Sequence, residues 1–300
     1  MDAVTGAFSF TGRYVAARLL ELGREVRALT RKGQVESPFG ERVRAFALDF
    51  GDPAGLTESL RGVDTLYNTY WIRFPRGDLT FERATENTRI LFAAARAAGV
   101  RRVVQLSVTH ASRESPFPYF REKAAVEAAL AQSGLSFAVV RPTLLFGRGE
   151  VLVNNIAWLL KRMPLFVVPG SGRYLVQPVA AEDVAELCVE AGLAEEQLLL
   201  EAAGADVFTF EELVRLVRSA IGARPRIVHG RPRLALALCR GLEVLARDTV
   251  LTRDELESLM ASLLVSESSA TGTRRFEEWL AASRDSLGAR FASDLARPWA

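Results

Sequence analysis

Histidine, cysteine and lysine are all scarce in this chain of 300 residues, and each scarcity narrows what the protein can do. The two histidines, His110 and His229, and the two cysteines, Cys188 and Cys239, show no zinc-ligand spacing, so no metal site is expected. Two cysteines within helical apolar patterns build no disulfide framework. Both are read as buried and unpaired, which suits a reducing, cytoplasmic compartment. Lysine occurs only at Lys32, Lys123 and Lys161, so 35 of the 38 basic residues are arginine. Where arginine has displaced nearly every lysine, a survivor is informative, because guanidinium cannot replace an ammonium that must act as a compact, tunable charge.

Long apolar runs are also missing. No stretch approaches the ~18 apolar residues that span a bilayer, and no basic segment followed by an apolar run opens the chain. Neither a transmembrane segment nor a signal peptide is therefore expected. The greasiest segment, LALALC at 234–239, is bracketed by Arg233 and Arg240 and reads as a core or interface helix. Charge of one sign is not in excess: the formal net charge is +2 and the basic residues look spread out, so no field for nucleic acid or an anionic membrane is expected. Hydrophobic residues at 49% and charged residues at 25% are the balance of a globular protein, large enough for one domain or two intimate ones. The expected partner is a small-molecule substrate, and the expected state a monomer or homodimer.

The first half alternates short apolar runs with amphipathic helical segments. The runs EVRALT, VRAFALD, DTLYNTYW, RRVVQLS and SFAVVRP read as strands. RYVAARLLELG, PAGLTESLRG, ENTRILFAAARAAG and KAAVEAALAQSG read as helices, several ended by glycine. This alternation predicts an α/β fold with a doubly wound parallel sheet. Further on, LVNNIAWLLKRM is helical, YLVQPVA a strand and AEDVAELCVEAG a helix, while QLLLEAAG returns as an edge strand. From Phe208 the pattern is mostly helical, and SESSATGT at 266–273 reads as a flexible loop. Residues 1–150, with 175–204 returning, form the expected nucleotide-binding domain. Residues 151–174 and 205–300 form a smaller, mostly helical substrate-binding part.

The opening VTGAFSFTG, residues 4–12, follows the first strand and starts the first helix. Gly6 and Gly12 hold the outer places of a phosphate-binding turn, and Ser9 stands where a middle glycine is usual. Backbone N–H groups at such a turn can meet a pyrophosphate at a helix N-terminus, and the Ser9 hydroxyl can donate to one of its oxygens. Thr5, Phe8, Phe10 and Thr11 belong to the same turn. The second strand ends in Thr30, Arg31 and Lys32, with no carboxylate for a ribose 2′-OH, and Arg13 can reach the same place. Paired cations suit a 2′-phosphate, so NADP is preferred, with NAD possible.

YFREK places Tyr119 and Lys123 four residues apart, on one face of a predicted helix started by Pro116 or Pro118. A tyrosine there can exchange a proton while a hydride moves to or from a nicotinamide. Ser107 ends the preceding strand, where its hydroxyl can orient a substrate oxygen.

Taken together, TGAFSFTGR, RALTRK, LDFGDPAGL, SVTH, the run from Tyr119 to Gly147, and VQPVAAEDVA resemble the short-chain dehydrogenase/reductase superfamily. They are most similar to its extended and atypical branches: epimerase/dehydratase-like proteins, NmrA-like proteins and the NAD(P)H-binding accessory subunit of respiratory complex I. The resemblance covers residues 1–204 and implies a Rossmann fold. It makes Gly6, Ser9 and Gly12 the phosphate turn, Arg31 the 2′-phosphate contact and Asp49 an adenine partner. Phe50, Asn68 and Pro142 line the cofactor. Tyr119 becomes the acid/base, Lys123 the ribose ligand that tunes it, Ser107 the supporting serine, with Thr109 as a substitute, and Asn87 the support of a proton relay. The implied activity is an NADP(H)-dependent oxidoreductase acting on a carbonyl or alcohol. The alternatives are a non-catalytic NAD(P)H-binding regulatory or accessory protein, or a nucleotide-sugar epimerase/dehydratase, although VTHAS stands where the epimerases carry a VYG-like segment.

Four aromatics in YNTYWIRF, residues 67–74, either shape an apolar pocket or pack as core. His110 reads as incidental, Asp183 as a helix-start charge, and Thr252 with Glu255 as a capping box.

Overall fold

The computed structural model describes residues 1–31, 37–246 and 248–293, and the chain divides into two compact units. Among the described residues, the first comprises those of Met1–Pro142 and Ala181–Ala202, and the second those of Thr143–Ala180 and 203–293. In chain order the first begins with β1 (Asp2–Thr5), α1 (Phe10–Glu21), β2 (Val26–Thr30), β3 (Val43–Ala47), α2 (Pro53–Leu60), β4 (Thr65–Asn68), α3 (Phe81–Ala97), β5 (Arg102–Leu106), α4 (Pro118–Gln132) and β6 (Ser136–Pro142). The second unit then supplies β7 (Leu144–Phe146), α5 (Leu152–Arg162), β8 (Leu165–Pro169), β9 (Leu175–Val176) and β10 (Pro178–Ala180). The chain returns to the first unit for α6 (Ala181–Leu193) and β11 (Leu198–Ala202). It ends in the second with β12 (Phe208–Thr209), α7 (Phe210–Ala220), β13 (Arg226–Gly230), α8 (Pro232–Ala246), α9 (Arg253–Met260) and α10 (Phe276–Ser283).

The first unit is a Rossmann-like α/β sheet of seven strands in the order β11-β6-β5-β4-β1-β2-β3, every neighbouring pair parallel. Its central strands are buried along their whole length, as expected of a parallel sheet covered on both faces. Local chemistry starts the helices. Asp52 caps α2 by accepting from the Gly55 N–H, with Pro53 in the first turn, and Thr80 caps α3 by accepting from the Arg83 N–H. The chain crosses from one half of the sheet to the other between β1 and β4, the switch point where such sheets open a ligand crevice beyond the strands' carboxyl ends.

At the opposite edge a buried cation closes the unit. Arg102 is wholly buried at the start of β5. It donates to the carbonyls of Ala191 (2.7 Å) and Glu196 (2.6 Å), just where α6 ends, and to Ser136 Oγ (2.6 Å). A helix C-terminus presents unsatisfied carbonyls and partial negative charge, so the guanidinium both caps α6 and ties it to β5.

The second unit has short strand pairs, β7 with β10, β8 with β13 (both parallel) and β9 with β12 (antiparallel), around a core that includes Phe146, Leu160, Phe210 and Phe276. The capping box at Thr252 and Glu255 forms as expected, and α7 has another at Thr209 and Glu212.

Other details differ from expectation. Residues 174–180 are not one strand but two, interrupted at Gln177. Its N–H donates to the Leu264 carbonyl (3.0 Å), and its own carbonyl accepts from Leu144 N (3.2 Å) and Thr143 Oγ1 (2.6 Å), so its backbone is bonded to two other segments. β8 escapes notice in the sequence because Pro164 and Pro169 bracket it as apparent breakers. Residues 266–273 lack regular structure but are tethered, since the Thr271 and Gly272 N–H groups both donate to the Ala203 carbonyl. Cys188 is buried, its thiol pushed up to about 12 by desolvation, whereas Cys239 is only partly buried, contrary to expectation.

Arg102→Ala leaves the α6 carbonyls without their charged donor. It is expected to destabilise the protein by about 3 kcal/mol, read as a lower denaturant midpoint. A midpoint within error of the parent would contradict the capping role.

Candidate active site

The phosphate turn is built from backbone constraints. Gly6 sits at φ +62°, a left-handed conformation that favours glycine. Gly12 lies so close to the preceding turn that an added Cβ would stand 2.1 Å from the Gly6 carbonyl oxygen. Ser9 adopts φ −83° and ψ 179°, extended backbone open to any residue, so glycine is not required there. Ser9 is the N-cap of α1, and its hydroxyl makes no capping bond to the helix. The departure from three glycines therefore costs the backbone nothing and leaves a hydroxyl at the helix N-terminus. The Phe8 side chain is buried, Phe10 packs edge-on against Tyr14 and Thr11 is half-buried, so Phe8 offers a ligand only its backbone.

From this turn a line of buried hydrogen bonds crosses the carboxyl ends of three strands. Thr5 Oγ1 donates to Asn68 Oδ1 (2.8 Å) and accepts from the N–H groups of Thr69 and Tyr70. Asn68 Nδ2 donates to Gln105 Oε1 (2.7 Å), and Gln105 Nε2 donates to the Leu106 carbonyl (2.7 Å). The same carbonyl accepts from Lys123 Nζ (2.9 Å). Thr5, Asn68 and Lys123, singled out separately, are thus joined through Gln105. Gln105 was missed, whereas Thr69, whose hydroxyl donates to the Thr5 carbonyl, lies in the strand-end segment 67–70 that the sheet topology marks as a site candidate. The available signal was a glutamine inside the otherwise apolar run VVQL, since a buried amide must find partners.

Tyr119 lies in the first turn of α4, directly after Pro118. Its ring meets Trp71, Phe81 and Phe120 edge-on, with centroids 5.5–6.2 Å apart. Lys123 is buried one turn on, and its ammonium sits 4.5 Å from the centre of the Trp71 ring. The ring face and the Leu106 carbonyl favour the charged form, but desolvation outweighs them and lowers the lysine pKa to about 7. Ser107 ends β5 buried, with its N–H on the Val140 carbonyl and its Oγ without a hydrogen-bond partner. A buried hydroxyl in that condition is an invitation to a ligand oxygen.

Asn87 lies on α3 and donates to the Tyr70 hydroxyl (2.9 Å), while its Oδ1 is unpartnered. Tyr70, raised above its ordinary pKa mainly by burial, packs against Phe50 at 4.9 Å. The aromatic run therefore divides. Tyr70 and Trp71 contact candidate site residues, whereas Tyr67 packs against α6, where a Cβ on Gly192 would meet its hydroxyl at 2.2 Å. Arg31 is exposed just beyond β2, and Lys32 lies outside the described residues. Asp49 is exposed after β3 and accepts from the Gly51 N–H within its own turn. Pro142 ends β6, and its carbonyl accepts from the Thr109 N–H. No helix among the described residues is long and apolar enough to cross a membrane.

Residues 6–192 match a protein-family model described as NAD(P)H-binding. Over 238 residues the chain is 26% identical to the mitochondrial NADH dehydrogenase (ubiquinone) 1 alpha subcomplex subunit 9 of Arabidopsis thaliana. The match takes in 75% of this chain but only 59% of that protein's length. A ceramide reductase of Caulobacter vibrioides is 29% identical over 237 residues, 75% of this chain and 72% of that one. Among solved structures, the triphenylmethane reductase of Citrobacter sp. in complex with NADP(H) superposes with a TM-score of 0.76 at 18% identity, over 95% of this chain and 100% of the other.

The depressed lysine pKa makes a prediction about stability. The native side chain sheds its proton near 7, while an unfolded lysine keeps it to about 10.5. Between these values the unfolded state binds one more proton, so stability rises with pH. Thermal unfolding of the parent and of Lys123→Met between pH ~6 and ~10 should show the parent gaining on the variant as pH rises through 7. A pH-independent difference would contradict the burial effect.

Proposed function

Because the chain belongs to the NAD(P)H-binding family, we propose that it is an NADPH-dependent reductase acting on the carbonyl group of a small, partly apolar substrate. The observation that carries this reading is the buried, unpartnered Ser107 hydroxyl at the end of β5. It adjoins Leu106, whose carbonyl holds Lys123, while Tyr119 stands one turn before that lysine on α4. The turn fits a dinucleotide: Gly6 supplies the left-handed bend, Gly12 lets the helix pack on it, and α1 presents its N-terminus with the uncommitted Ser9 hydroxyl. Arg31, with no carboxylate at the end of β2, supports NADPH over NADH. When bound, the reduced nicotinamide supplies the hydride.

The chain's own residues then do the rest. The Ser107 hydroxyl donates to the substrate carbonyl oxygen and orients it. The Tyr119 hydroxyl would give its proton to that oxygen, leaving the alcohol as product. Lys123 would hold the cofactor ribose, and the Tyr119 oxygen would be reprotonated from solvent. The aromatic rings of Trp71 and Phe81 pack edge-on against Tyr119 and keep it in place.

Tyr119→Phe is expected to lower NADPH-dependent carbonyl reduction at least 100-fold, the contribution typical of a positioned acid, while the NADPH dissociation constant stays within about twofold. Full activity in that variant would refute the assignment. Cofactor binding with no turnover on any carbonyl compound would instead favour the non-catalytic reading, and product formed without net NADPH consumption the epimerase one. Arg31→Ala should weaken NADPH binding roughly tenfold and leave NADH unchanged, as measured by fluorescence titration.

A further inference from the structure

Helix α8 leaves an apolar strip uncovered. Leu234 and Leu238, one turn apart, are 51% and 48% exposed. Helical spacing sets the exposed Ala237 and Gly241 on the same face. The helix packs on β8 with Ala235 buried. Arg233 and Arg240, two turns apart, border the strip on one side, and Arg231 precedes it; all three are exposed. Among the described residues none of these three forms an ion pair.

The charge around this helix is not evenly spread, contrary to the expectation from net charge. Residues 213–242 hold seven arginines and no aspartate or glutamate; of the adjoining carboxylates, Glu211 pairs with Arg215 and Glu243 lies on α8 opposite the leucines by helical spacing. Residues 151–181, which supply β8, hold Lys161, Arg162 and Arg173 and again no carboxylate. These two stretches contain ten of the 38 basic residues and none of the 36 acidic ones, leaving the rest of the chain at −8.

We propose that this face of α8 docks on a bilayer surface bearing anionic lipid headgroups. Half-exposed leucines flanked by arginines are what such a surface accommodates: the apolar strip enters the headgroup–acyl boundary and the guanidinium groups meet the phosphates. A second copy of the chain fits less well, because a two-fold contact through this strip would bring like charges together. The proposal stands on the second unit alone and does not depend on the reductase reading.

The test is flotation of the full chain with phosphatidylcholine vesicles, with and without phosphatidylglycerol. Binding is expected only to the anionic vesicles and should weaken as salt is raised. Replacing both arginines (Arg233→Gln with Arg240→Gln) should weaken it roughly 30-fold, from about 1 kcal/mol per arginine at the surface. Leu234→Ser with Leu238→Ser should abolish it. These side chains are exposed, so melting temperatures should match the parent, and the arginine pair gives an independent reading if the leucine pair does not fold. Failure of the parent to bind anionic vesicles, or binding unchanged in a folded arginine variant, overturns the proposal. So does a parent dimer that the leucine changes split, which would assign the strip to self-association.

Discussion

The carbonyl of Leu106 is where the first unit's architecture and its chemistry meet. It takes no more than two hydrogen bonds, and they come from the Gln105 amide and the Lys123 ammonium. Through Gln105 the line continues to Asn68 and Thr5, and so to the turn that begins α1. A buried lysine is costly unless its donors are engaged, and here one strand end engages it while the Trp71 face covers it. Any displacement of β5 relative to β4 would break this line at Gln105. The position of the lysine beside Ser107 is thus a property of the whole sheet edge and not of α4 alone.

The two glycines of the opening turn act by a different physics. Gly6 supplies a backbone conformation, and Gly12 supplies the absence of an atom. Neither function is asked of position 9, which explains why serine serves there. The three-glycine pattern is therefore a compound signal whose parts can be separated: one part tests a dihedral angle, one a contact distance, and the middle one only the room left beside the backbone for a ligand.

Most of the first unit was legible in the sequence because its strands are short apolar runs and its helices are amphipathic segments, one of them started by Pro118; the caps Asp52 and Thr80 were not read there, so α3 begins at Phe81, five residues before the segment that the pattern marked. The spacing of Tyr119 and Lys123 on one helix was equally plain. Less legible were partnerships across distance. Nothing local to Gln105 says that it bridges Asn68 and the lysine's acceptor, and nothing local to Arg102 says that it caps a helix some ninety residues later. The second unit was hardest, since its strands are two to five residues long and its prolines mimic breaks. Gln177 is bonded through its backbone to two distant segments at once, a role that no periodicity encodes.

Arg102 has a consequence for how the chain is made. Its carbonyl acceptors lie in Ala191, Glu195 and Glu196, and the edge partner of β6 is β11; these acceptors and β11 all follow an excursion of 38 residues, Thr143–Ala180, into the other unit. During synthesis, six strands of the sheet emerge with a raw edge at β6 and a cation that has Ser136 but not yet its carbonyl acceptors. Only after Ala202 has left the ribosome can the nucleotide-binding half close, so its completion is obligatorily post-dated to the birth of the other unit's first strands.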